Sequence, residues 1–221
     1  FNLPEYAHSR LLVIDPTVQW STYYGANYIG KTQGVAVDSS GNVIVCGFTF
    51  STQMPLQEHD LQPHIGGNAD AFIVKFNSAG VRQWATYFGG SANDTAQSIA
   101  VDGAGNVIIT GQTFSNNFPV TGTAFQGSSG GQLDAFLAKF SPSGALTWST
   151  YFGGTAEDHC YGVSVDASGS ICMTGMTMST NLPVTAGAFQ MGNAGNSDAF
   201  VAKFTPAGAQ DWATYYGGSS Y

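Results

Sequence analysis

Trp84-Ala85-Thr86-Tyr87-Phe88-Gly89-Gly90 returns 64 residues later as Trp148-Ser149-Thr150-Tyr151-Phe152-Gly153-Gly154. The same run opens at Trp20-Ser21-Thr22-Tyr23-Tyr24-Gly25 and recurs at Trp212-Ala213-Thr214-Tyr215-Tyr216-Gly217-Gly218, again at 64-residue spacing with no insertion or deletion. A fixed period of this kind marks an array of one repeated unit. Cut at the tryptophans, the chain divides into a lead-in over residues 1–19 and repeats over 20–83, 84–147 and 148–211. Residues 212–221 start a fourth, and the whole reads as one continuous repeat domain.

Within the second copy, residues 97–102 and 106–113 are strand-like runs separated by Gly103-Ala104-Gly105, which is a hairpin signature. Counterparts lie at 34–49 and 162–177. Asp38, Asp102 and Asp166 precede these turns and are expected to cap them through side-chain bonds to backbone N–H groups two residues on. Gly41, Gly105 and Gly169 are expected to take positive φ. A calcium loop needs several oxygens converging over about 12 residues, whereas here the chain returns at once to a strand. A second hairpin follows in each copy, turning at Asn77-Ser78-Ala79-Gly80, Ser141-Pro142-Ser143-Gly144 and Thr205-Pro206-Ala207-Gly208. Proline presets φ there and glycine closes the turn.

Each unit therefore holds four short strands, a to d in order. With 29 glycines and apolar residues that alternate rather than follow a 3.6 spacing, the fold class is all-β. Of the 64 residues, 19 lie in the connection between strands b and c, at 51–69 in the first copy, leaving 45. Four-stranded units of about 40 to 50 residues stacked radially are propeller blades. The expectation is a β-propeller-like array of four-stranded antiparallel blades; a parallel β-helix, the competing solenoid, has shorter coils and no alternating tight hairpins.

These residues carry a family resemblance. The Tyr-[Tyr/Phe]-Gly-Gly run, Ala-Val-Asp-x-x-Gly-Asn, a Thr-Gly-x-Thr-x-Ser strand ending near Pro55, Pro119 or Pro183, and Asp-Ala-Phe-x-x-Lys-Phe together resemble the SBBP family of bacterial β-propeller repeats, over about residues 10–221. The segment Leu11-Leu12-Val13-Ile14-Asp15-Pro16-Thr17 is similar to the lead into the first repeat of such proteins. The resemblance implies a secreted or surface-exposed bacterial protein and brings no catalytic residues.

Composition agrees with that setting. The chain is 43% hydrophobic and 13% aromatic, enough to fold, yet only 9% charged. Such a polar, weakly charged surface suits an extracellular protein. A net charge of −8 argues against nucleic acid as a partner. No stretch approaches the roughly 18 apolar residues of a membrane span, so membrane insertion is not expected. The start, Phe1-Asn2-Leu3-Pro4, has neither an initiator Met nor a signal-peptide pattern and reads as a mature or excised chain. Cys46, Cys160 and Cys172 cannot all pair internally and read as small core or strand residues.

In an up-and-down arrangement the a-b and c-d turns share one face and the long b-c and d-a loops the other, where binding function usually sits. Leu61, Phe125 and Phe189, each followed by Gln, point instead to loops packed over the sheet edges. Glu58, His59, Asp60 and His64 form one group of metal-ligand types on the loop face; Glu157, Asp158, His159 and Cys160 form another. Neither matches a recognised ligand spacing, and no cofactor is expected. No strained nucleophile turn or recurring carboxylate pair suggests catalysis, so the chain reads as no enzyme. Lys75, Lys139 and Lys203 share one offset near the c-d turn, as Asp38, Asp102 and Asp166 do at the a-b turn. Structural ion pairs are expected there, contributing about 0 to 1 kcal/mol if exposed.

A partial c-d pair over residues 10–25 followed by three complete units makes about three and a half blades, fewer than the 4 to 8 of a closed propeller. The array is thus expected either to belong to a longer chain or to dock on further copies of itself, as a ring or filament. The leading expectation is a structural or adhesive module of the bacterial cell surface. The alternative is lectin-like glycan binding through Trp and Tyr, although Trp20, Trp84, Trp148 and Trp212 fall in strand d, where they suit the core between sheets. A metal-dependent enzyme on the loop face is the remaining alternative.

Overall fold

The computed structural model describes residues 18–56 and 60–219. These form β1 (Gly30–Val37), β2 (Val43–Thr49), β3 (Asp70–Phe76), β4 (Arg82–Phe88), β5 (Asp94–Val101), β6 (Val107–Thr113), β7 (Asp134–Phe140), β8 (Leu146–Phe152), β9 (Asp158–Val165), β10 (Ile171–Thr177), β11 (Asp198–Phe204) and β12 (Gln210–Tyr216). They assemble in chain order into three four-stranded antiparallel sheets, β1-β2-β3-β4, β5-β6-β7-β8 and β9-β10-β11-β12. Among the described residues there is no helix and no closed sheet.

The turns follow the sequence reading. Asp38 Oδ1 accepts from Ser40 N at 2.9 Å, Asp102 Oδ1 from Ala104 N at 3.0 Å and Asp166 Oδ1 from Ser168 N at 2.9 Å. Gly41, Gly105 and Gly169 have φ of 77°, 81° and 82°. The a-b and c-d turns lie together: a Cβ on Gly105 would touch Pro142, and one on Gly169 would touch Pro206. On the opposite face the b-c and d-a loops meet, Ser91 N donating to Asn117 Oδ1 at 2.8 Å and Thr155 N to Asn181 Oδ1 at 2.9 Å.

Strand a carries a bulge in every sheet, where the register skips between Thr32 and Gly34, between Ala96 and Ser98, and between Cys160 and Gly162. A bulge bends the strand and disrupts the ladder locally. Gly47, Gly111 and Gly175 lie opposite, where a Cβ would run into the carbonyl oxygens of Lys31, Thr95 and His159. Glycine is there because only a missing Cβ admits the backbone of strand a.

Neighbouring sheets pack face to face. Trp84 and Phe88 of β4 share a core with Phe136 and Phe140 of β7 and with Phe118 of its loop. Trp148 and Phe152 of β8 join Phe200 and Phe204 of β11 in the same way. Strand a of each sheet meets strand a of the next, β1 against β5 and β5 against β9.

Two features bear on the repeat boundaries and the lead-in. A cut at each tryptophan divides every sheet, because strand d of one repeat hydrogen-bonds to strand c of the preceding one: Lys75 pairs with Trp84, and Lys203 with Trp212. The expected partial pair over residues 10–25 falls mostly outside the described residues. Its described part, from residue 18 on, carries no strand up to Gly30, the start of β1. Trp20 and Tyr24 lie instead against the first sheet through side chains, their ring centroids each 5.8 Å from that of Phe76.

Candidate functional site

On the turn face each lysine reaches the aspartate of its own sheet. Lys75 Nζ lies 3.0 Å from Asp38 Oδ2, Lys139 Nζ 2.9 Å from Asp102 Oδ2 and Lys203 Nζ 3.2 Å from Asp166 Oδ2. The first two pairs are buried, with both side chains under a tenth exposed, whereas Lys203 and Asp166 are 26% and 42% exposed. The condition of exposure attached to these pairs therefore holds for the third sheet alone. Burial pushes the Asp38 carboxyl up, but hydrogen bonds from Asn42 and Lys75 outweigh it and hold the group at about 2. Asp166 is also held at about 2, first by Ser168. These groups fix the two turns to each other.

The loop face holds buried carboxylates, of which the sequence reading named only Asp158 as a candidate site residue, and that as a metal-ligand type. Asp70, Asp134 and Asp198 begin strand c, and Asp94 and Asp158 begin strand a; all are buried. Asp94 Oδ2 accepts from Gly90 N at 2.7 Å and Ser115 Oγ at 2.8 Å. Asp158 Oδ2 does the same with Gly154 N and Ser179 Oγ. Asp70 Oδ2 accepts from Gly66 N and from Gln62 Nε2, while Gln62 Oε1 accepts from Gly89 N. Gln126 and Gln190 accept from Gly153 N and Gly217 N likewise. The Gln after Leu61, Phe125 or Phe189 is thus the clamp that pins its loop to strand d.

The carboxylates come in pairs around a glycine. A Cβ on Gly89 would meet both Asp94 and Asp70, and one on Gly153 both Asp134 and Asp158. Burial pushes the Asp94 carboxyl up to about 6, with the Asp70 charge adding to the rise. Burial also raises Asp158, to which the Asp134 charge adds, and raises Asp70 and Asp134. Hydrogen bonds from Thr113 to Asp94 and from Thr177 to Asp158 offset the loss of water only in part, and Oδ1 of Asp134 has no hydrogen-bond partner to offset it. Fully buried and bonded to main-chain N–H groups, these side chains order loops. The signal that could have found them is their 64-residue recurrence; Gly30 stands where the first sheet lacks its Asp94 equivalent.

The metal-ligand groups suggested by sequence do not converge. Glu58 and His59 lie outside the described residues. Asp60 faces Arg82 at 3.8 Å, while His64 offers its carbonyl to Gln62. Strand alternation separates the other group: Asp158 and Cys160 point into the core, whereas His159 Nε2 lies 3.4 Å from Glu157 Oε2 and its ring stacks on Tyr161. Among the described residues no three His, Cys, Asp or Glu side chains group to hold a metal ion. Cys46 and Cys160 are buried, with thiols that burial pushes up to about 12 and about 11, and Cys172 is half-buried.

Trp84 and Trp148 fill the cores between sheets, at 9% and 4% exposure, but Trp212 is 39% exposed. Around it Tyr216 and Phe189 are exposed at 64% and 82%. Strand c shows the same contrast, since β3 and β7 are buried at every position whereas β11 alternates. The outer face of the third sheet is an uncovered copy of a surface that the chain buries twice.

The fold and these pins define an all-β repeat protein whose recurrent polar groups serve architecture. Residues 83–119 match the model of the SBBP family, a beta-propeller repeat. The chain is similar to the uncharacterized WD repeat-containing protein L264 of Acanthamoeba polyphaga mimivirus, 23% identical over 92% of this chain and 17% of that protein. It is also similar to the regulatory protein FlaEY of Caulobacter vibrioides, 26% identical over 65% of this chain and 15% of that protein. The chain therefore spans less than a fifth of either relative. A solved structure of a protein of unknown function from Bacteroides caccae is similar at a TM-score of 0.35 and 11% identity, over 84% of this chain and 67% of that one.

Proposed function

We propose that this chain is a non-enzymatic structural or adhesive module of a bacterial surface, built as about three and a half propeller blades of 64 residues, whose open end faces associate with further units. The observation that carries the reading is the uncovered outer face of the third sheet, with Trp212, Tyr216 and Phe189 exposed together. Contiguous exposed apolar surface marks an interaction site. The low charge content suits an extracellular setting, and the polar groups that recur from unit to unit are occupied in holding turns and loops. Electron microscopy and sedimentation of the concentrated chain test it: rings, filaments or discrete oligomers are expected, and monomers alone would count against it.

A second reading is glycan binding at the same end. A groove of about 580 Å³ lined by Phe189, Asp211 and Trp212 suits a sugar ring stacked on an indole. Glycan-array binding by monomers, lost in Trp212→Ala, would favour it over association.

A further inference from the structure

The groove at Trp212 has internal counterparts that show what fits it. Beside Trp84 the corresponding space is lined by Asp60, Leu61 and Thr86 on one side, and by Ser143, Gly144 and Ala145 of the next sheet's c-d turn on the other. The Trp84 indole lies flat on that turn, where a Cβ on Gly144 would stand 2.8 Å from Cδ2, and its Nε1 donates to Pro142 O at 3.0 Å. Trp148 repeats both contacts with Gly208 and Pro206. At Trp212 the first wall is present, and among the described residues no turn stands opposite it.

The other end of the chain carries that turn. On the face of the first sheet turned away from the second, Asn77-Ser78-Ala79-Gly80 stands where the Pro-containing turns stand elsewhere, and the indole on Gly80 is Trp20, 2.8 Å from the position of its Cβ. Residues 20–24, Trp-Ser-Thr-Tyr-Tyr, differ from residues 212–216, Trp-Ala-Thr-Tyr-Tyr, at one position. They cover the face poorly. A cavity of about 180 Å³ remains between Trp20, Tyr24 and the sheet. Val35 and Val37 are 66% and 61% exposed, whereas Ile99, the counterpart of Val35, is 9%. Tyr23, whose counterparts Tyr87 and Tyr151 are buried, is fully exposed. Among the described residues Trp20 has no bond matching those of Trp84 and Trp148.

We infer that the Trp212 face docks onto the first sheet of a second copy, placing Trp212 on that copy's Gly80, and that residues 20–24 are a resident plug that must be displaced. This deepens the association proposed above and rests on it. The occupant is a second copy because each chain carries both halves of an interface it already makes twice internally, and because the receiving face already holds the same side chains that Trp212 and Tyr216 would bring. The contact is heterologous, so copies add head to tail.

The test uses the full chain and its native thiol. Cys172 is the counterpart of Ile44 and Ile108, both fully buried between sheets, so its rate of labelling should fall as chain concentration rises. Sedimentation equilibrium should show Trp212→Ala weakening association about tenfold or more, as loss of a central aromatic anchor does. Trp20→Ala should strengthen association, because the plug is lost, and Trp20→Ala with Trp212→Ala should return the chain to monomers. Tyr24→Ser is the second plug variant should Trp20→Ala fail to fold, and it should also strengthen association. If every variant stays monomeric at all concentrations, the association reading itself falls. If the chain associates but the plug variants weaken it or leave it unchanged, or Cys172 stays equally reactive, this docking is wrong while association stands.

Discussion

Trp84 of the first sheet and Pro142 of the second are joined by a hydrogen bond from the indole Nε1 to the proline carbonyl, 3.0 Å long, and Trp148 and Pro206 form the same bond 64 residues on. The indole thus serves twice, its ring filling the space over a glycine and its N–H bonding a turn carbonyl, which at Pro142 also accepts from Lys75 Nζ at 3.4 Å. Trp84→Phe should keep most of the apolar contact and lose the bond, costing about 0.5 to 1.5 kcal/mol in urea unfolding. Trp84→Ala should cost about 3 to 5 kcal/mol. Equal losses for the two variants would show that the bond, and not the ring, holds the sheets together.

Gly111→Ala places a methyl against the Thr95 carbonyl oxygen and the neighbouring backbone of Ala96. Relief requires opening the β5 bulge, so a loss of more than about 2 kcal/mol is expected. Gly122, with nothing within 4 Å of its Cβ position, is the control. Thermal unfolding should leave Gly122→Ala within about 0.5 kcal/mol of the parent chain.

The Lys139–Asp102 pair is buried but sits just beneath the turn face, so water screens part of the charge. Lys139→Met should cost about 1 to 3 kcal/mol, between the surface and deep-interior limits. Lys203→Met should cost less, its pair being partly exposed. A double-mutant cycle with Asp102→Asn gives the coupling, and a coupling near zero would show that the pair only shares a location.

Stability should depend on pH through Asp94. Burial holds its folded carboxyl at about 6 against an ordinary 3.8, so between those values the folded state holds a proton that the unfolded chain has lost. Folding stability therefore falls as pH rises from about 4 to 6 and levels above, a loss on the order of 3 kcal/mol. Asp70, Asp134 and Asp158 act in the same direction. Asp38, held at about 2, acts oppositely: its contribution is present above about 4 and is lost as pH falls through 2. Asp94→Asn should flatten the fall between pH 4 and 6, and an unchanged slope would remove Asp94 as its source.

Much of this architecture was legible because the chain states it repeatedly. One Asp-x-x-Gly turn is weak information, but three at equal spacing, each facing a Lys near the partner turn, leave few other arrangements. Tyr87, Tyr151 and Tyr215 were legible only as strand residues. Their hydroxyls accept from the amides of Met54, Phe118 and Leu182 and donate to the carbonyls of Ser51, Ser115 and Ser179, stitching the long loops down. Those bonds span 33 and 36 residues, beyond anything local propensity can signal. The burial of the loop-face aspartates was not legible for a related reason: a carboxylate in a polar loop reads as solvated until the fold closes over it.

The sequence by itself determined the strands, the turn chemistry and the spacing of the units, since these depend on backbone preferences and side-chain alternation that act over a few residues. Only the tertiary structure decided which copies of a nearly identical motif are buried. Trp84, Trp148 and Trp212 share one local sequence, yet the first two are enclosed and the third is 39% exposed. The difference lies in whether another sheet stands beside the tryptophan, because burial is a property of neighbours rather than of the residue.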